Sequence, residues 1–194
     1  METITSSTPY AWPFDAVVAD DRVGFVVAGF DPYWCGSSLD ITAVAAGLGA
    51  VAEAVANGGG TVVTLAHPPA RRSPAAMRAP APIESAHHLL VGGLDGCYGS
   101  ALEPCLRTHG VEHVLVAGYG LEAPVHSTLR GLNDRGYECL LVSDACAPLD
   151  RGCVAGAISS IEMSGGIFGA VSTTLAVVSA LRSTSSPASE RTPR

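Results

Sequence analysis

"EHVLVAGYGLEAPVHSTLRGLNDRGYECLLVSDA", residues 112–145, reads as one complete strand, helix and strand. Its opening "EHVLVAGY" is almost continuously apolar and β-rich, as a strand buried on both faces must be. "EAPVHSTLRGLNDRG" then places Val125, Leu129 and Leu132 on one helical face and ends on Gly136, a helix stop. "YECLLVSDA" returns to strand. Two successive strands joined through a helix run parallel, with a right-handed crossover. Pro124 stands where the first strand hands over to the helix, a common address for a catalytic nucleophile in an α/β enzyme. Proline offers neither a nucleophilic side chain nor a backbone N–H for an oxyanion.

The same alternation extends in both directions. Upstream, "RVGFVVAGF" (22–30) is a buried strand, followed by a helix expected to open on Asp40 as N-cap with Ile41, Val44, Leu48, Val51 and Val55 as its apolar stripe. "GTVVTLA" (60–66) is a strand, and residues 67–86, rich in proline, form a long loop of the kind that covers a pocket. "HHLLVGG" is a short strand. Ser100 and Glu103 have the spacing of a capping box opening the helix that Gly110 closes. Downstream come a helix over 151–163, the strand "GIFGAVS" and a last helix "TTLAVVSALR". The pattern predicts a three-layer α/β sandwich: a central parallel sheet of about six strands with helices on both faces, forming one domain over 1–182 and a disordered tail over 183–194. Ligands of such folds bind at the carboxyl ends of the strands.

Composition narrows the function. A net charge of −7 disfavours nucleic acid or an anionic membrane as partner. No apolar run is long enough to span a bilayer, and the N-terminus lacks a signal-peptide pattern, so the chain is expected to be cytoplasmic. The six cysteines (35, 97, 105, 139, 146, 153) show no C-x-x-C spacing, which argues against a zinc cluster and leaves them as reduced thiols. The basic residues are 11 arginines with no lysine. Any mechanism that needs a lysine must take it from another chain.

"TPYAWPFD" (8–15), the block from Val125 to Asp150 and "IEMSGGIFGAV" (161–171) resemble the isochorismatase-like cysteine hydrolases, in particular their biuret and ureidoacrylate amidohydrolase branch. The resemblance implies that fold, and a family site in which an Asp activates a Cys for attack on an amide carbonyl, with a Lys beside them. Residue by residue, "FVVAGFDPYWC" puts Gly29 at the Asp, "HLLVGGLDGCYGSALEP" puts Val91 at the Lys, and "LEAPVHST" puts Pro124 at the Cys. The isochorismatase branch lacks the thiol but keeps the Asp, whereas here all three are replaced. Covalent catalysis needs a nucleophile with a base in reach, and neither residue type remains.

Other residues near the strand ends stay open to two readings. Asp31 is either a displaced carboxylate or a local cap; Glu122 and His126 are either acid–base groups or packed and surface polar residues. Cys35 and Cys97 are either relocated thiols or small core residues. Trp34, Cys97, Tyr98 and Tyr119 line the expected ligand pocket, where the aromatic rings either stack a small planar ligand or fill space. Some members of the family hold a metal through an Asp and two His after the second strand; only His67 remains here, and His87 and His88 alternate faces of a strand, so neither metal nor cofactor is expected. Three functions follow. The first is a degenerate homologue, a pseudoenzyme with a binding or assembly role as homodimer or homotetramer, or with an active paralogue. The second is a repurposed small-molecule enzyme using non-covalent acid–base catalysis, in secondary metabolism as the Ala, Gly and Arg bias suggests. The third is an amidohydrolase with relocated catalytic groups.

Overall fold

The computed structural model describes residues 1–68, 79–84 and 86–184. An N-terminal antiparallel pair, β1 (Glu2–Ile4) and β2 (Trp12–Val17), precedes β3 (Val23–Ala28), every residue of which is buried. A short helix α1 (Pro32–Ser37) follows, then α2 (Ile41–Asn57), β4 (Thr61–Ala66), β5 (His87–Leu90) and α3 (Leu102–Thr108). The chain continues through β6 (His113–Tyr119), α4 (His126–Asn133), β7 (Glu138–Ala147), α5 (Val154–Glu162), β8 (Ala170–Ser172) and α6 (Thr174–Thr184).

Strands β3 to β8 form one parallel sheet in the order β5-β4-β3-β6-β7-β8, with helices around it. The order reverses direction between β3 and β6, because the chain first builds outward through β4 and β5 and then returns to start the other half beside β3. That reversal leaves a crevice at the carboxyl ends of β3 and β6. The continuously apolar strands read from the sequence are the two central ones, covered on both faces.

Several local expectations are corrected. Asp40 precedes α2 but makes no cap; it adopts a left-handed conformation (φ 56°) and its carboxylate pairs with Arg151 at 2.7 Å. Ser100 does accept a backbone N–H, from Leu102 at 3.1 Å, but Glu103 turns outward to Arg107 and Arg135 instead of completing a capping box. The last helix runs to Thr184, two residues into the expected tail; the rest of that tail, like most of the proline-rich loop after His67, lies outside the described residues.

The N-terminal pair had no periodicity to betray it, since β1 has only three residues. It is nonetheless part of the core. Trp12 is fully buried and meets the His113 ring edge-on at 5.8 Å, while Glu138 accepts hydrogen bonds from the Phe14 N–H (2.7 Å) and from His113 Nε2 (3.2 Å). Burial alone would raise the Glu138 pKa, but the bonds from His113, the Phe14 backbone and Tyr10 outweigh it and hold the carboxyl below its ordinary value. A folded-state pKa below the unfolded one contributes stability that is present above the unfolded pKa and lost as pH falls through the folded one. Glu138→Gln should therefore lower the melting temperature at neutral pH and make the loss of stability on acidification through the carboxylate range shallower, as followed by thermal melts across that range.

Candidate functional site

At the carboxyl ends of β3 and β6, glycines stand where the two strands run side by side. Gly29 ends β3 with φ +65°, and a Cβ built there would lie 2.2 Å from the Tyr119 carbonyl oxygen and 3.2 Å from Trp34 Cβ. Gly118 is its counterpart one pair back, where a Cβ would lie 2.0 Å from the Ala28 oxygen. A side chain at Gly29 thus requires the backbone around it to shift.

Proline shapes the turn after β6. In an α-helix the Gly120 carbonyl would accept from the N–H of residue 124, which Pro124 lacks. The bond passes to the next donor, Val125 N–H at 3.4 Å, and Leu121–Val125 winds as a wide π turn before α4 begins. Gly120 sits at φ +75°, its N–H donating to Ser38 Oγ and to the Ala147 carbonyl, both at 2.9 Å. A Cβ on Gly120 would meet Pro124 Cδ at 2.9 Å and Trp34 Cε3 at 3.0 Å. The Trp34 side chain, 3% exposed, therefore lies beside both Gly29 and Gly120. Pro124 itself is buried, as are Tyr119, Leu121 and Val91.

An isochorismatase-domain model matches residues 34–175. The chain belongs to the isochorismatase domain family. Its fold is shared with a cysteine hydrolase from Pseudomonas syringae pv. phaseolicola 1448A (19% identity over 89% of this chain and 96% of that one, TM-score 0.73). It is also shared with an N-carbamoylsarcosine amidase from Thermoplasma acidophilum (18%, 79% and 96%, TM-score 0.63) and with the nicotinamidase of Staphylococcus aureus (12%, 79% and 99%, TM-score 0.65).

In this isochorismatase domain the carboxylates near the crevice, Asp31 and Glu122, bind backbone. Asp31 caps α1, its Oδ1 accepting from Tyr33 N (2.9 Å) and Trp34 N (3.0 Å), and its Oδ2 accepts from His67 N (3.0 Å), so one carboxylate ties together the ends of β3 and β4 and the start of α1. Glu122 clamps the turn after β7, its two oxygens accepting from Leu149 N and Asp150 N at 2.9 Å each. His126 Nε2 meets Ser160 Oγ at 2.7 Å on α5, and burial followed by the Arg130 charge lowers its pKa. The three thus engage three different elements, and none is hydrogen-bonded to another.

The thiols and rings separate likewise. Cys97 is half-buried with its N–H on Asp95 Oδ1 (2.9 Å), and burial pushes its thiol up to about 12, which keeps it protonated. Tyr98 is 65% exposed and lies over Gly92 and Gly93. Tyr119 and Cys35 are brought together instead, in the wall of a pocket of about 290 Å³ completed by Ile41, Thr42, Ala45 and residues 79–81. His67 is buried with Nδ1 3.0 Å from the Gly93 carbonyl, and His88 turns to Thr64 and Phe30. One group of side chains with metal-ligand spacing stands elsewhere, at the outer sheet edge: His87, Cys105 and His109.

Because Asp31 accepts three backbone N–H groups, its removal should register as stability. Asp31→Ala is expected to cost about 1–3 kcal/mol in denaturant unfolding, the range for losing a helix cap together with a further charged hydrogen bond. Asp31→Asn should recover part of that loss.

Proposed function

We propose that this chain is a catalytically degenerate isochorismatase-like homologue, a pseudoenzyme whose role is binding or assembly. One observation carries the reading: at Gly29, the position that the sequence resemblance gives to the family's acid, a Cβ would stand 2.2 Å from the Tyr119 oxygen. A carboxylate there needs more than a substitution, because the backbone has closed over its position. The other two replacements agree with it. Val91 is buried with its N–H on the Ala66 carbonyl (3.1 Å), so an ammonium in its place would be desolvated, and Pro124 is buried beside Gly120. A folded domain without its reaction is what remains.

The assembly role draws support from exposed apolar side chains in one of the sequence blocks that resemble the family. Met163 is 84% and Ile167 73% exposed, both on the segment between α5 and β8, and Gly166 between them faces the Tyr10 ring. Such groups fit a homodimer, a homotetramer or a complex with an active paralogue.

A second reading, a repurposed small-molecule enzyme of secondary metabolism, is favoured by the pocket beside Cys35 and Tyr119, which is of a size for a small planar ligand. On that reading, a planar ligand that raises the melting temperature should lose its effect in Thr42→Trp, which fills the pocket from its exposed rim.

The purified protein should release no product from nicotinamide, biuret, ureidoacrylate or N-carbamoyl amino acids. Pro124→Cys should fold and stay inactive, since the new thiol would have no base at Gly29. Turnover of one of these amides that thiol alkylation abolishes, in either protein, would overturn the degenerate reading.

A further inference from the structure

His87 opens the edge strand β5, and Cys105 and His109 stand four residues apart at the end of α3, the helix that returns the chain from that edge. Their ligand atoms all lie within 4.8 Å of one another. The His87 and His109 rings are 4.9 Å apart, and Cys105 Sγ is 3.9 Å from His109 Nδ1. We propose that these three side chains form a Zn²⁺ site of one thiolate and two imidazoles, with an open fourth position for water.

The donor set suits a borderline-soft divalent cation, for which thiolate and imidazole are the preferred ligands. Tetrahedral zinc, with bonds of about 2.0–2.3 Å, places its ligand atoms roughly 3.3–3.6 Å apart. The three groups need to close by about an ångström. Both histidines are exposed and Cys105 is half-exposed, so rotamer changes at the surface achieve this without disturbing the core. The His109 nitrogen nearest the thiol, Nδ1, is also 2.9 Å from the Cys105 carbonyl oxygen, to which it donates. Turning the exposed ring breaks that bond and frees a nitrogen lone pair for the metal. Binding exchanges a proton for the metal: the Cys105 S–H bond breaks, the sulfur's electron pair forms the Zn–S bond, and the proton passes to solvent.

The site stands on the outer edge of the sheet and takes nothing from Gly29, Val91 or Pro124, so it is independent of whether the crevice catalyses anything. Untagged protein titrated calorimetrically with Zn²⁺ should bind one ion per chain, releasing about one proton when buffers of different ionisation enthalpy are compared. Co²⁺ in its place should give visible ligand-field bands with a near-ultraviolet thiolate charge-transfer band. Cys105→Ser should remove that band, and His87→Gln and His109→Gln should each weaken Zn²⁺ by more than the roughly tenfold typical of losing an outer-shell partner. Cys153→Ser, at an exposed thiol outside the cluster, should leave binding unchanged. Circular dichroism of each variant establishes that it is folded. Failure of the parent protein to bind stoichiometric Zn²⁺, or binding that survives Cys105→Ser, would overturn the assignment.

Discussion

The contact between Gly29 and the Tyr119 carbonyl sets the character of this molecule. At the reversal of strand order, β3 and β6 run side by side to their last residues, and only a residue without Cβ fits between them at that point. Everything at the crevice follows from it. With no side chain rising from Gly29, the Trp34 side chain lies beside it and reaches Gly120, and Gly120 in turn needs its left-handed conformation and its missing Cβ to admit both Trp34 and Pro124. Pro124 then forces the wide turn by withholding its N–H. These features form one packed unit in which each small or rigid residue makes room for the next.

The carboxylates that surround this unit show the same economy. In an active site, acid and base groups converge on a common point where a substrate atom can stand. Here Asp31 holds the junction of β3, α1 and β4, while Glu122 holds the turn leading to α5. Each spends both oxygens on backbone N–H groups. Such bonds satisfy donors at a helix start and in loops.

How much of this the sequence discloses depends on the range of the interaction. Strands β3 and β6 are legible because central strands of a parallel sheet are apolar throughout, and α2 is legible because its buried residues recur at helical spacing. Pro124 announces itself too, since proline at a strand-to-helix junction excludes a thiol there. The closure at Gly29 is not legible: a glycine at a strand end reads equally as a loose turn, and only the position of the Tyr119 oxygen shows that nothing else fits. Asp40 had the right residue type for a cap, but Arg151, far away in sequence, competes for its carboxylate. His87, Cys105 and His109 are hidden in the sequence for a related reason. Cys105 and His109 form a Cys-x-x-x-His pair easily dismissed on one helix, and the third ligand arrives only through the packing of α3 against the sheet edge.

The closed crevice is tested most directly by placing the smallest possible side chain in it. Gly29→Ala adds one methyl group and no chemistry, and its unfolding free energy in denaturant can be compared with that of the parent. The expected result is a loss of more than about 2 kcal/mol, since a left-handed residue with a Cβ is strained by roughly 1–2 kcal/mol before the contact with Tyr119 is counted. An alanine variant within about 0.5 kcal/mol of the parent, the range of an ordinary surface substitution, would contradict it and would mean that the position of Gly29 is still open to a side chain.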